Sequence, residues 1–455
     1  MATTSSRLGV WRDPGAPGLG NAADWMQLAA LMLAGLVLAE CVRDGGFWTS
    51  DALVVTILGA MVLVLRRWAA PRDRTRWTVA ASVLALALWW LIRAGTAEGI
   101  SRFLPLGASL IGFAAAFMVI GSLDASDREL AASFVGLVGA LVAAAGFVGL
   151  VLRWTPLAIP AQHLWRLSST ITYADAAGLL LAVALLMTLS VETRPWVTRA
   201  CVCLCAGGLL ATQSRGAMVA FACAAAVVPW RRYLVHLVPL VVGILVGALA
   251  IATSPWHHRV PVLGVACLVA VGLSVAWPAR LNPSRLSGRA ITIAAVAVVV
   301  VAAGVIVTLH HEIGLRAFSP SDRDRAVEWS AAWHQFVSAV VVGVGPDRVL
   351  HFHAVDGTYA HFAHNEYLQI AADAGLIGLG LLAVAVVNLV RVTRRDSLMA
   401  SCAVAGLFCL AVGGAFDFDW HLPVIGLLGG WVAGLGSPLP MRSAASRSSP
   451  RSGSG

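Results

Sequence analysis

Apolar runs separated by short polar connections recur along almost the whole chain. Most runs approach the roughly 20 residues that a helix needs to cross a bilayer. The predicted spans are 24–42, 50–65, 77–92, 104–121, 131–152, 175–191, 198–212, 216–230, 234–251, 260–278, 290–309, 373–390, 397–414 and 422–436. The pattern predicts an all-α fold, a polytopic transmembrane helical bundle of about 12–14 spans.

The connections divide the chain into five segments. Residues 1–22 and 437–455 are rich in Gly, Pro, Ser and Arg, and we expect both to be disordered cytoplasmic tails. Residues 23–309 and 373–436 hold the predicted transmembrane helices. Between them, residues 310–372 form one large extracytoplasmic loop, and a loop of this length is usually functional.

Composition excludes a soluble globular domain. Of the 455 residues, 59% are hydrophobic and only 12% are charged, whereas soluble proteins carry about 25% charged residues. Every basic residue is an arginine, and the net charge is +9. The arginines follow the positive-inside rule with both termini in the cytoplasm, so the charge indicates topology and no nucleic-acid partner. Arginine-only usage suggests a bacterial chain, which we expect in the cytoplasmic (inner) membrane as a multi-pass protein.

One helix is predicted inside the loop. Across residues 322–340, large apolar side chains recur at helical spacing: Trp329, Trp333, Phe336 and Val340. Arg325 lies one turn before Trp329 on the same face. Aromatic residues with an arginine on one face are typical of a helix at the membrane interface. The Gly-Pro pair at 345–346 ends this helix.

Four polar clusters lie on the predicted outer side. They are TQSRG (212–216) with Arg215, the loop helix start with Arg323 and Arg325, HFAHNEYLQ (361–369) with His364, and FDFDWHLP (416–423) with Asp417, Asp419 and His421. The first three also have a structural interpretation. The arginines would contact lipid headgroups or solvent, and the third cluster would cap the next span.

Two arginine sites with a nearby histidine suit a reaction at a lipid pyrophosphate. Guanidinium groups match phosphate oxygens and stay charged, and histidine accepts a proton near neutral pH. A zinc site is the alternative, with His351, His353, His361 and His364 as candidate ligands. No cysteine or closely spaced carboxylate supports it, so the preferred interpretation has no metal.

Several stretches resemble a known family. They are RLSSTITYADAAGLLLA (166–182), TQSRGAMVAF (212–221), DRAVEWSAAW leading to VGVGPDRV (324–349), and AHNEYLQIAADAGLIGLGLL (363–382). With these, the chain resembles the O-antigen ligase and O-antigen polymerase family of bacterial integral-membrane glycosyltransferases. The resemblance covers the C-terminal two-thirds. The chain departs from the family pattern at Asp175, where asparagine is commoner, and at Asp347, where a small residue is frequent.

The resemblance implies a fold similar to the GT-C glycosyltransferases, with a large periplasmic loop and an inverting, metal-independent reaction without a cofactor. It implies a polyprenyl-pyrophosphate-linked glycan donor and a glycan or glycolipid acceptor. By their match to the family motifs, Arg215 and Arg325 would bind the donor pyrophosphate, and His364 would activate the acceptor hydroxyl. The candidate substrate-binding residues are Arg323, Asn365, Tyr367, Gln369, Trp329, Tyr173 and His421.

Alternatives remain open at this stage. Glu366 and Asp419 are alternative bases. A multispan lipid or polysaccharide transporter (a flippase) is the second hypothesis, and an inactive scaffold for polysaccharide assembly is the third. Transporters place ionisable groups at mid-membrane, whereas the clusters here lie at the predicted outer surface. The motifs concern the shared donor, so they do not separate ligase from polymerase.

Overall fold

The structure, a computed structural model, describes residues 22–69, 73–161, 164–191, 194–276, 323–346 and 362–439. Within these residues the chain forms fifteen α-helices and one two-stranded sheet. The helices are α1 Ala22–Val42, α2 Thr49–Ala69, α3 Arg74–Ala94, α4 Ala97–Ile120, α5 Ala125–Leu152, α6 Ala174–Thr188, α7 Pro195–Ala211, α8 Arg215–Ala225, α9 Trp230–Val235, α10 Leu237–Ala252, α11 Pro261–Ala276, α12 Arg323–Ser338, α13 Glu366–Val392, α14 Leu398–Gly413 and α15 Pro423–Leu435.

The helices confirm the predicted all-α polytopic fold. In the described part of the chain, six helices are long and apolar enough to cross a membrane: α1, α2, α3, α4, α5 and α13. Each predicted span has a helix except 290–309, which lies outside the described residues. The shorter apolar helix α6 lies in the interior, where every residue of α6 except Asp175 is buried. The chain is therefore a multi-pass membrane protein.

α4 lies at the centre of the bundle and packs on α2, α3 and α15. Its contact with α15 depends on two glycines. A Cβ added to Gly426 would lie 2.2 Å from the carbonyl oxygen of Ser109, and one added to Gly430 would lie 2.1 Å from that of Phe113. Small residues of this kind let membrane helices approach at backbone distance. This contact fixes α15, which leads directly out of the polar FDFDWHLP segment.

α13 is broken near its start. Gly375 has φ 65° and ψ −162°, outside the helical region, and glycine adopts positive φ without steric cost. The segment after α12 fills the break, because Val344 and Gly345 N–H donate to the carbonyls of Ala372 and Asp373 (2.8 and 3.0 Å). The helix begins at Glu366 rather than at the predicted boundary of 373, because Glu366 and Gln369 interrupt the apolar pattern in its first turn.

A short hairpin covers the end of the bundle that holds the polar clusters. β1 Ala158–Ala161 pairs antiparallel with β2 Leu164–Leu167. The sequence predicts no strand here, because four-residue strands carry little periodic signal. From β2, Arg166 pairs with Asp175 at the start of α6 (2.9 Å) and donates to the carbonyl of Thr212 (2.9 Å). The hairpin thereby joins α6 to the turn before α8.

Candidate active site

Asp417 is the centre of the polar cluster at this end of the bundle. Its Oδ1 accepts hydrogen bonds from Tyr173 Oη (2.7 Å), from His364 Nδ1 (2.9 Å) and from the backbone N–H of Phe418 (2.9 Å). Burial favours the protonated acid, but the hydrogen bond from His364 and the charges of His364 and Arg325 outweigh it. These contacts hold the pKa of Asp417 below its usual value. An ionised Asp417 therefore accepts a hydrogen bond from Nδ1–H of His364 and fixes the orientation of the imidazole.

His364 lies between two carboxylates. Nδ1 faces Asp417, and Nε2 lies 3.9 Å from Oε1 of Glu328, which is buried in α12. Burial opposes protonation, but the hydrogen bond and charge of Asp417 with the charge of Glu328 raise the pKa of His364 above its usual value. Its backbone has φ 45°, the left-handed region that non-glycine residues rarely occupy. Strain of this kind concentrates at functional sites.

Arg325 reaches the same segment from α12. Its Nη1 donates to the carbonyl oxygen of Phe416 (2.7 Å), and its Nη2 lies 3.7 Å from Oδ2 of Asp417. Its side chain is 28% exposed. The structure thus brings Arg325 and His364, which are far apart in the sequence, to opposite sides of one carboxylate.

Arg215 lies beside this cluster. It is the first residue of α8, where the side chain of Ser214 caps the helix by accepting from Ala217 N–H (3.3 Å). Arg215 is exposed. The next residue, Gly216, packs on Phe416, since an added Cβ would lie 2.8 Å from Phe416 Cβ. Phe416 therefore joins the α8 start to Arg325.

A second set of titratable groups lies beneath Asp417 and His364. His421 is 3% exposed, and its Nδ1 lies 3.1 Å from Oε1 of Glu366, which is equally buried. Burial opposes charge on His421, but Glu366 outweighs it and raises the pKa of His421. Asp419 is also buried, and burial with the charge of Asp417 raises its pKa well above the usual value. We therefore expect a neutral Asp419 behind an ionised Asp417.

Three residues predicted to bind substrate have structural contacts. Asn365 caps α13 by accepting from Leu368 N–H (3.0 Å) and donates to the carbonyl of Ala415 (3.0 Å). The buried side chain of Gln369 accepts from Ala363 N–H and donates to Asp373 (both 2.9 Å). Tyr367 is 38% exposed and donates to the carbonyl of Ala411. These contacts hold the start of α13, and with it His364, against the end of α14.

The other candidates differ in position. Tyr173 lies against Phe418, with ring centroids 5.1 Å apart, and orients Asp417. Trp329 and Trp333 are 38% and 54% exposed, because α12 buries Glu328 and Ala332 instead. The side chain of Arg323 lies outside the described residues, as do His351, His353 and His361. The zinc alternative therefore stays untested. The substrate-binding roles also stay predictions.

The sequence did not predict two contacts of His364, one with Asp417 and one with Glu328. Asp417 was recognised only as a member of a polar cluster, because no spacing rule links residues 53 positions apart. For Glu328 a signal existed. It lies three residues after Arg325 on the predicted helix, and residues at that spacing share a face.

A long apolar cavity of about 420 Å³ leads away from this cluster through the bundle. α3, α4, α13 and α14 line it. Glu366 and Tyr367 lie at the end near His364, and Thr393 and Arg395 lie at the other end. The lining therefore extends from the polar cluster to the residues that follow α13.

Sequence comparison finds a family match in the region that carries part of this site. Residues 256–383 match the family model described as O-antigen ligase. No curated protein matches the chain, and no solved structure matches it. The matched region contains Arg325 and His364, whereas Arg215 and Asp417 lie outside it. The match confirms the resemblance and points to a ligase or glycosyltransferase-type enzyme of polysaccharide biosynthesis.

Proposed function

We propose that the chain transfers glycan from a polyprenyl-pyrophosphate-linked donor to an acceptor hydroxyl at the outer face of the cytoplasmic membrane. The match to the O-antigen ligase family is the premise. The observation that carries the proposal is the junction at Asp417, where His364 and Arg325 meet a single carboxylate. A proton acceptor and a phosphate-binding group lie there side by side.

In the proposed reaction His364 is the general base. Its Nδ1–H donates to Asp417, so Nε2 carries the lone pair that accepts the acceptor hydroxyl proton. The resulting imidazolium lies between Asp417 and Glu328, whose negative charges stabilise it. His364 is 26% exposed at its side chain. The alternative bases Glu366 and Asp419 are each 3% exposed, and this favours His364.

The proposed leaving group is the donor diphosphate. The acceptor oxygen forms a bond to the anomeric carbon, and the bond from that carbon to the phosphate oxygen breaks. The electron pair leaves with the diphosphate, and Arg215 and Arg325 stabilise the developing charge. One displacement inverts the anomeric configuration. Two guanidinium groups supply the positive charge, so the proposed step is independent of a metal.

The apolar cavity suits the lipid part of this donor. It starts beside Glu366 and Tyr367 and continues between α13 and α14. A polyprenyl chain entering there keeps its hydrocarbon away from water while its diphosphate stays near Arg325. The tail is already out of water in the bilayer, so the cavity would orient the donor through packing contacts and not through the hydrophobic effect.

One observation favours a transporter as the second candidate. Asp373 is 2% exposed and lies two residues before the break in α13. Broken helices with buried ionisable groups often form the substrate sites of transporters. The backbone groups at this break are hydrogen-bonded to the segment after α12, however, and this supports a structural role for the break.

Complementation of a deletion strain tests the proposal. We expect Arg215→Ala, Arg325→Ala and His364→Ala to abolish assembly of the surface glycan and to accumulate the lipid-linked donor at the outer leaflet. The matched controls are Arg194→Ala and His334→Ala, which change exposed residues outside the cluster. Accumulation at the inner leaflet indicates a transporter, and full glycan assembly in all three variants indicates a scaffold.

The accumulated intermediate also separates the two family activities. Full-length lipid-linked chains indicate a ligase, because finished glycan then lacks its route to the acceptor. Single lipid-linked repeat units indicate a polymerase.

A further inference from the structure

Three arginines are buried at the end of the bundle opposite the candidate active site. Arg66 lies near the end of α2, Arg76 near the start of α3 and Arg128 near the start of α5, and none is more than 4% exposed. α15 separates the two ends. It starts after His421 and finishes before Ser437, and its 13 residues rise about 20 Å.

Backbone carbonyls satisfy part of this cluster. Arg128 donates to the carbonyls of Gly121, Leu123, Ser437 and Pro438. Arg76 also donates to Pro438, and its Nε lies 3.3 Å from Oδ2 of Asp73. Across the described ranges, Asp73 is the single carboxylate that forms an ion pair with any of the three arginines. Among the described residues, the three arginines therefore share one ion-paired carboxylate.

One buried donor of the cluster lacks an acceptor within the described part of the chain. Arg66 directs its Nε to Ser122 Oγ (3.2 Å). Among the residues that the structure describes, Arg66 Nη1 has no hydrogen-bond acceptor, and this atom is inaccessible to water. A buried charged donor without an acceptor is costly. An anion would supply the acceptor that this donor lacks.

We propose that Arg66, Arg76 and Arg128 form a binding site for a phosphate group. Phosphate oxygens accept from guanidinium groups in a bidentate geometry, and a phosphate charge balances the excess of the cluster. The positive-inside topology places this end in the cytoplasmic leaflet, whose anionic phospholipid headgroups attract basic residues. The headgroup of such a lipid lies at the depth where α2 ends and α3 begins.

A bound headgroup would stabilise the position of the C-terminal end of α15. Arg76 and Arg128 already hold the carbonyls of Ser437 and Pro438, so an anion between the arginines keeps those contacts in place. The site is independent of the proposed transfer reaction, and either proposal can fail alone.

The wild-type protein gives the first test. The full chain in neutral detergent is titrated with phosphatidylglycerol, with phosphatidylethanolamine or with inorganic phosphate, and the midpoint of thermal unfolding is measured. A ligand that binds only the native state raises this midpoint. We expect phosphatidylglycerol to raise it more than phosphatidylethanolamine does. A rise with inorganic phosphate but not with phosphatidylglycerol assigns the same site to a soluble phosphate. No rise with either overturns the proposal.

A matched pair of variants gives the second test. Arg66→Gln removes a buried member of the cluster, and Arg67→Gln changes its exposed neighbour. Retention of phosphatidylglycerol is measured by native mass spectrometry. We expect about fivefold weaker retention in Arg66→Gln, the change that one arginine near an anionic headgroup produces, and no change in Arg67→Gln. Equal retention in both variants contradicts the proposal. The wild-type titration decides alone if Arg66→Gln does not fold.

Discussion

At the residue scale, one carboxylate oxygen of Asp417 joins three parts of the chain. It accepts from Tyr173 before α6, from His364 before α13 and from its own following backbone N–H. A histidine held in this way presents one defined nitrogen to a substrate. Asp417 is a positioning residue in the proposed reaction, because it acts through His364.

We predict that Asp417→Asn changes both the rate and the pH dependence of glycan transfer. The neutral imidazole is the active form, so transfer is lost as the pH falls through the pKa of His364. Asp417 raises that pKa, and its removal therefore shifts the acidic limb of kcat/KM to lower pH. We expect the rate at its optimum to fall between about 10²- and 10⁴-fold.

The control for this prediction is Asp127→Asn. Asp127 lies in the first turn of α5, at the other end of the bundle, and the pH profile should not change. A merely structural role for Asp417 predicts a lower rate with an unshifted acidic limb.

At the element scale, the break in α13 connects the two elements that carry the candidate residues. Leu376 and Ile377 N–H donate to the carbonyls of Val340 and Val341 (2.9 and 3.2 Å), just beyond α12. Trp89 donates to the carbonyl of Ala374 (3.0 Å). The break therefore fixes α12, with Arg325, relative to the start of α13, next to His364.

We predict that Gly375→Ala lowers both the thermal unfolding midpoint and transfer. Positive φ costs an alanine about 1–3 kcal/mol, and the new Cβ would lie 2.5 Å from Gly343 N and from Val341 O. Gly380→Ala is the matched control, because nothing lies within 4 Å of its Cβ position. Equal midpoints and equal activity for the two variants would show that the break does not hold the site.

The elements also show which features the sequence predicts. Long apolar runs identified every described span, since a bilayer requires about 20 apolar residues. The sequence does not predict the hairpin of β1 and β2 or the early start of α13, because the length of an apolar run says nothing about short or polar segments. For the site, the sequence predicts that Arg215, Arg325 and His364 lie in polar clusters on one side of the membrane. The pairing of His364 with Asp417 was not, because it depends on how α13 and α15 pack.

At the scale of the whole molecule, the bundle separates two charged ends with an apolar interior. The candidate active site lies where α13 and α15 begin, and the arginine cluster of Arg66, Arg76 and Arg128 lies where α15 ends. The apolar cavity runs between these ends along α13. This arrangement suits a substrate with a charged head and a long hydrocarbon tail.

We predict that filling the cavity impairs use of the lipid-linked donor. Ala385 lines the cavity and is 6% exposed, whereas its neighbour Val384 is 51% exposed and does not line it. Ala385→Trp should raise the KM for a long-chain polyprenyl donor more than for a short-chain analogue. Val384→Trp should leave both KM values unchanged. An equal effect of Ala385→Trp on both donors would place the tail elsewhere.

The most direct measurement is glycan transfer by the purified full chain, with a polyprenyl-pyrophosphate-linked glycan as donor and a glycan hydroxyl as acceptor. The readouts are released polyprenyl pyrophosphate and the anomeric configuration of the product. We predict an inverted product, a loss of at least about 10²-fold in His364→Ala, and an unchanged rate in His334→Ala. A retained configuration, or equal rates in the two histidine variants, would contradict a site built on His364 and Asp417.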